Sequence, residues 1–307
     1  MKKLLPLAWL RPPFIGSRRR RAALLIAFIV LIVGPTALHL GANGILLGTY
    51  HLSREKGVEH RLARSLEEIS GLAMTPDGRL FAHNDERAVF YQLDPETGKV
   101  VKAFSAGPGG VAGDFEGVAI VGPRFFLMTS GGGILETEEG SPSSAMTYRL
   151  HDTGLGTQCE LEGLAFNPET AAFLMPCKEP KNRDLRHYIT VFSVPIQSMR
   201  PEPVPWAFIP LEDLEAFDVK PSFFPSGIEV HPETGNVLII SAREEAILEL
   251  SPQGSLLDAQ ELRRKTHPQP EGITFLPDGS LLLADEGQGH RGRLTRYPAE
   301  AGSGGGP

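Results

Sequence analysis

At five similar places in the 307-residue chain a polar residue stands directly before a glycine: glutamate in Glu116-Gly117, Glu162-Gly163 and Glu271-Gly272, and serine in Ser70-Gly71 and Ser226-Gly227. In all five an apolar-x-apolar stretch follows the glycine, and a second apolar run downstream ends in polar residues again: Asn84-Asp85-Glu86, Ser130-Gly131, Lys178-Glu179, Ala242-Arg243 and Asp285-Glu286. If the two runs are neighbouring antiparallel strands, the end of the second returns to the start of the first. Glu116, Glu162 and Glu271 then share one mouth with Asn84, Asp85, Glu179 and Asp285 or Glu286. Carboxylates gathered around one axis must be hydrated, protonated, paired or bound to a cation. Calcium takes roughly six to eight oxygen ligands in a flexible geometry, which Glu, Asp, Asn and Ser supply. Calcium is therefore the expected cofactor, with those eight residues as its expected ligands; the alternative is ion pairing with Lys178, Arg243 and Arg87.

The elements that would position these groups come from a repeat. Segments 68–78, 114–120, 160–169, 224–233 and 269–279 align, and four of the five run into a Pro-Asp-Gly or Pro-Glu-Thr type of turn. Their glycines, Gly71, Gly117, Gly163, Gly227 and Gly272, are spaced by 46, 46, 64 and 45 residues. After each turn comes a β-rich run such as Phe125-Phe-Leu-Met128 or Val237-Leu-Ile-Ile240, and in most units a third run such as Ile247-Leu-Glu-Leu250. Strand, tight turn, strand, turn, strand is a meander, and a period of about 45 residues is that of a propeller blade. A single small twisted sheet cannot bury both its faces, so blades stack radially. The fold class is all-β, a β-propeller of five blades over 48–300, with a strand within 58–64 completing the last blade. Six blades is the alternative, if the 64-residue interval hides one; its Pro-rich stretch 195–221 carries no Ser/Glu-Gly signal and reads as an insertion.

The N-terminus is of another kind. Lys2, Lys3, Arg11 and Arg18 to Arg21 put seven positive charges and no acid into residues 1–21, and an apolar run from Ala22 to Leu40 follows. Nineteen helical residues span about 28 Å, close to the hydrocarbon thickness of a bilayer. The segment 22–47 is expected to be a single transmembrane anchor, a cleaved signal peptide being the alternative. Basic residues before it hold that end in the cytoplasm, so the propeller is expected on the periplasmic or extracytoplasmic side of the inner membrane. Without those seven charges the net charge of −7 becomes −14 for the remainder, which excludes the basic footprint of a nucleic-acid binder. Cys159 and Cys177 bracket one hairpin and could form a disulfide in an oxidising compartment or remain two buried thiols. The tail 301–307 is Gly/Ser-rich and expected to be disordered.

The order of the five cores resembles the SdiA-regulated family, through Ile69-Ser-Gly-Leu72, Phe115-Glu-Gly-Val118, Leu161-Glu-Gly-Leu-Ala-Phe166, Pro225-Ser-Gly-Ile228, Pro270-Glu-Gly-Ile273 and the pair Lys178-Glu179. The resemblance covers about 58–298, and the N-terminal anchor is also similar. It implies a five-bladed propeller, distantly related to NHL-repeat proteins, with bound calcium. The chain departs from the family in its second unit, where Ser130-Gly-Gly-Gly133 replaces an acidic pair, so that blade offers little beyond Glu116.

No Gly-x-Ser-x-Gly nucleophile motif, zinc spacing of histidines or phosphate-cradling loop is present. The expected function is a binding or scaffold module that presents a calcium-bearing face to a periplasmic protein or small-molecule ligand. The alternatives are a calcium-dependent hydrolase of the lactonase, esterase or phosphoesterase kind, and a purely structural envelope protein. A hydrolase needs a base beside the metal, for which His83, Glu86, Glu179 and His290 are the candidates.

Overall fold

The computed structural model describes residues 46–299. They form an all-β propeller of five blades. The innermost strands are Ile69–Met74, Phe115–Val121, Ala165–Asn167, Gly227–Val230 and Pro270–Phe275, each antiparallel to the second strand of its blade. The 64-residue interval belongs to blade three: it holds that blade's later strands, Tyr188–Pro195 and Ala207–Pro210, and the 3-10 helix Leu211–Phe217. The ring is closed by the chain's beginning. Val58–Arg61 pairs with Arg293–Tyr297, so blade five is built from both ends of the propeller sequence.

Hydrophobic burial explains why the strands read as continuous apolar runs rather than alternating ones. Both faces of each blade are covered by a neighbour, and Val237–Ser241 and Leu281–Asp285 are buried along their whole length. The core is accordingly divided into five clusters, one between each pair of adjacent blades. Between blades one and two it is aromatic, with Phe81, Phe90, Phe104 and Phe125 in edge-to-face and stacked contact.

The five shared glycines form a ring around the axis. A Cβ on Gly117 would come within 2.6 Å of Leu164 N, one on Gly163 within 3.2 Å of Gly227 Cα, one on Gly227 within 2.7 Å of Glu271 O, and one on Gly272 within 2.8 Å of Leu72 Cγ. A Cβ on Gly71 would meet its own blade's His83 at 2.6 Å and then Val118 at 3.2 Å. Each blade's innermost strand thus leans on the next one at the glycine, which is why the repeat keeps a residue without a side chain there.

Among the described residues no helix is long and apolar enough to cross a membrane. The expected anchor 22–47 lies outside the described residues except for Leu46 and Leu47, and these two belong to the propeller. Both are buried among blades four and five. Their N–H groups donate to Glu249 Oε1 and Oε2, each at 2.8 Å, and Tyr50 Oη donates to Gly279 O at 2.7 Å. The tail 301–307 also lies outside the described residues. Cys159 and Cys177 are bridged, with their Cα atoms 5.7 Å apart.

Candidate functional site

All five innermost strands run in the same direction along the axis, so the residue before each glycine faces the same mouth. Glu116, Glu162 and Glu271 are brought together there with Lys178, from the end of blade three's second strand. The ammonium of Lys178 is paired with Glu162, whose side chain is only 3% exposed. Ser70 Oγ donates to Glu116 Oε2 at 3.4 Å, and Gln269 Nε2 donates to Glu271 Oε1 at 2.7 Å. The remaining serine is used for assembly: Ser226 Oγ donates to Pro270 O at 2.6 Å, fastening blade four to blade five.

Burial, and then the charge of Glu162, pushes Glu116 up to about 8. Burial raises Glu162 to about 7 against the opposing pull of Lys178. Burial and then Glu162 hold Glu271 well above the usual carboxylate range. Burial works to lower Lys178, but Glu162, Glu116 and Glu271 outweigh it and keep the ammonium charged. Two further acids stand in the same mouth, on the side of blades one and five. Asp85 is raised by burial and then by its acidic neighbours Glu86 and Asp114, and Glu286 by burial and then by Asp85 and Glu68. Asp85 Oδ1 is buried without a hydrogen-bond partner.

The other expected ligands are engaged elsewhere. Asn84 Nδ2 donates to Ser65 O at 3.3 Å while its Oδ1 accepts from Arg87 N at 3.3 Å. Glu179 is exposed and lies across the ladder from Glu160. Asp285 is fully buried, 2.8 Å from His267 Nδ1, and accepts from Gln269 N at 3.2 Å. Of the three cations considered as partners, only Lys178 enters the ring. Arg243 covers the Phe224 ring, and Arg87 donates to the carbonyls of Gly109 and Gly110. Sequence reasoning missed Glu68 and Asp114. Each stands just before an innermost strand, ahead of the bulge at the glycine, so no strand period marks it.

The donor set fits calcium in kind, since every candidate is an oxygen and negative charge is in excess. It does not form a closed cage. Among the described residues no three His, Cys, Asp or Glu side chains gather at the spacing of a metal site, so a bound calcium would complete its shell with water.

A family model described as SdiA-regulated matches residues 43–288. No curated protein matches the sequence. Among solved structures, a glutaminyl cyclase from Myxococcus xanthus is similar with a TM-score of 0.53 at 14% identity, over 78% of this chain and 93% of that one. A luciferin-regenerating enzyme is similar with a TM-score of 0.50 at 13% identity, over 80% of this chain and 96% of that one. At such identities the likeness is one of fold.

Proposed function

The chain belongs to the SdiA-regulated family, and we propose that it is a membrane-anchored, extracytoplasmic binding module whose acidic mouth takes a divalent cation, calcium above all. The observation that carries this reading is a charge deficit. Glu116, Glu162 and Glu271 crowd one mouth, and the ammonium of Lys178 is bonded to Glu162 alone. Glu116 and Glu271 would hold the cation, with Ser70 and the unpartnered oxygen of Asp85 as further donors. A calcium that keeps several waters is an adaptable docking point for the oxygens of a ligand or partner. Export and anchoring are supported by the basic residues and apolar run of 1–40 and by the Cys159–Cys177 bridge, which suits an oxidising compartment.

The hydrolase alternative is less well served. His83 is enclosed, with Nδ1 2.9 Å from Asn84 O, and Glu86, Glu179 and His290 are exposed. Binding is therefore the reading preferred.

Calorimetric titration of calcium into the chelator-treated full chain in detergent tests the proposal. Binding with a raised melting temperature is expected, weakened on the order of tenfold in Glu116→Gln and in Glu271→Gln, each of which removes one charged ligand. Absence of both heat and thermal shift in the unmutated protein would sink it.

A further inference from the structure

The channel end opposite the acidic mouth opens into a cavity of about 500 Å3. Met74, Ile120, Phe166, Val230, Phe275 and Leu276 wall it, beside the turns that follow the innermost strands. Its floor lies two residues beyond the glycine ring, where the blades contribute Ala73, Ala119, Ala165, Glu229 and Thr274 in turn. Among the described residues, Glu229 is the one ionisable side chain lining the cavity.

Its surroundings are unusual for an acid. Oε2 accepts from Thr274 Oγ1 at 3.0 Å and Oε1 from Val230 N at 2.9 Å, both neutral donors. The Glu229 side chain is half-buried at the cavity floor. Burial raises it to about 7, and no other charged group contributes to the shift. The fold does not require an acid at this place, because three blades build the same position with alanine. Enclosing a carboxylate without a cation is unfavourable. The four neutral floor positions and the apolar walls supply no counter-charge, so an entering cation would find the carboxyl group without a competing partner.

We propose that this cavity binds an apolar amine, with a compact hydrocarbon body against the walls and the ammonium donating to the Glu229 carboxylate. The volume falls in the range of small-molecule sites, roughly 300 to 1,000 Å3. The glycine ring separates this site from the acidic mouth, so it stands or falls independently of calcium binding. An anionic ligand of the same shape would meet Glu229 with no lining cation to offset the repulsion. A neutral one would gain only the hydrophobic contact.

The test is titration of the full chain, in detergent with a protein-free micelle control, with adamantan-1-amine, adamantan-1-ol and adamantane-1-carboxylate. The amine is expected to bind on the order of tenfold more tightly than the alcohol, as charge-assisted hydrogen bonds are stronger, and the carboxylate least. Glu229→Gln should bring the amine down to the level of the alcohol. Ala119→Leu keeps the carboxyl group but fills the floor, and should weaken the amine and the alcohol alike. Equal binding of amine and carboxylate, an unchanged amine affinity in Glu229→Gln, or an unchanged affinity in Ala119→Leu would each overturn the proposal.

Discussion

Glu116 and Glu162 illustrate how one backbone position yields two electrostatic situations. Both precede the ring glycine, yet only Glu162 has an ammonium bonded to it, and Glu116 rises further. Their folded pKa values of about 8 and about 7, with Glu229 at about 7, exceed the ordinary carboxylate value of 4.5. At these three carboxyl groups the native state therefore binds more protons than the unfolded chain between about pH 4.5 and 8, and their contribution to stability falls as pH rises through that window, outweighing the opposite effect of His83, which burial lowers to about 4. Melting in chelator should show the transition rising as pH is lowered from 8 towards 5.5, and calcium should stabilise most at the alkaline end, where these groups are charged. A transition that falls over that pH range would mean the acids are better paired than their surroundings indicate. The residue before each glycine was marked in the sequence by the repeat itself and not by strand parity, since in blades one, two and five it is the unpaired residue of a β-bulge. Asp285 was not, because its partner His267 comes from the loop before blade five's first strand, and nothing local to Asp285-Glu286 signals that the first acid turns inward. The ion pair of Lys178 was visible only as one alternative among three cations, since long side chains choose partners in three dimensions.

At the scale of the elements, the glycine ring makes the packing of innermost strands a backbone-to-backbone affair. Gly117→Ala would drive a methyl against Leu164 N and the carbonyl carbon of Gly163, at 2.6 and 2.8 Å, where no flexible atom can give way. A loss of about 3 kcal/mol is expected from denaturant unfolding, in line with overpacking of a close-packed interior. Gly48→Ala is the internal control: a Cβ there meets nothing within 4 Å, and its effect should stay within about 0.5 kcal/mol. The strands themselves were readable from apolar runs and turn residues. The division of blade three's first strand was not. Cys159–Leu161 and Ala165–Asn167 pair with the same neighbour on either side of Gly163, which has a positive φ of 91°. That break depends on how the blade meets its neighbour, and its local sequence, Glu-Gly-Leu-Ala, looks like that of the continuous strands.

For the whole molecule, the number of blades followed from counting glycines, and the 64-residue spacing was correctly an insertion. Its contents, a fourth strand and a 3-10 helix docked on blade three, follow from packing that no periodicity announces. Ring closure by Val58–Arg61 was legible because blade five otherwise lacks its outer strand. A chain beginning after Arg61 should leave Arg293–Tyr297 as an open edge. Its melting temperature should drop by roughly 10 °C or more, and it should self-associate in sedimentation, since unpaired strand edges template pairing. A chain beginning at Ala42 should show neither change; a monomer with unaltered melting in the shorter chain would show that closure contributes little.

The attachment of Leu46, Leu47 and Tyr50 acquires a further meaning once the chain is considered under tension. The closing strand lies a few residues downstream of the point where the chain enters the propeller, so a pull on the N-terminal side is directed at the seam of the ring. Before reaching it, the force must tear two amide groups from Glu249 and extract three buried side chains. Glu249 works like the grommet on a cable, taking up a tug at the entry point and sparing the splice behind it.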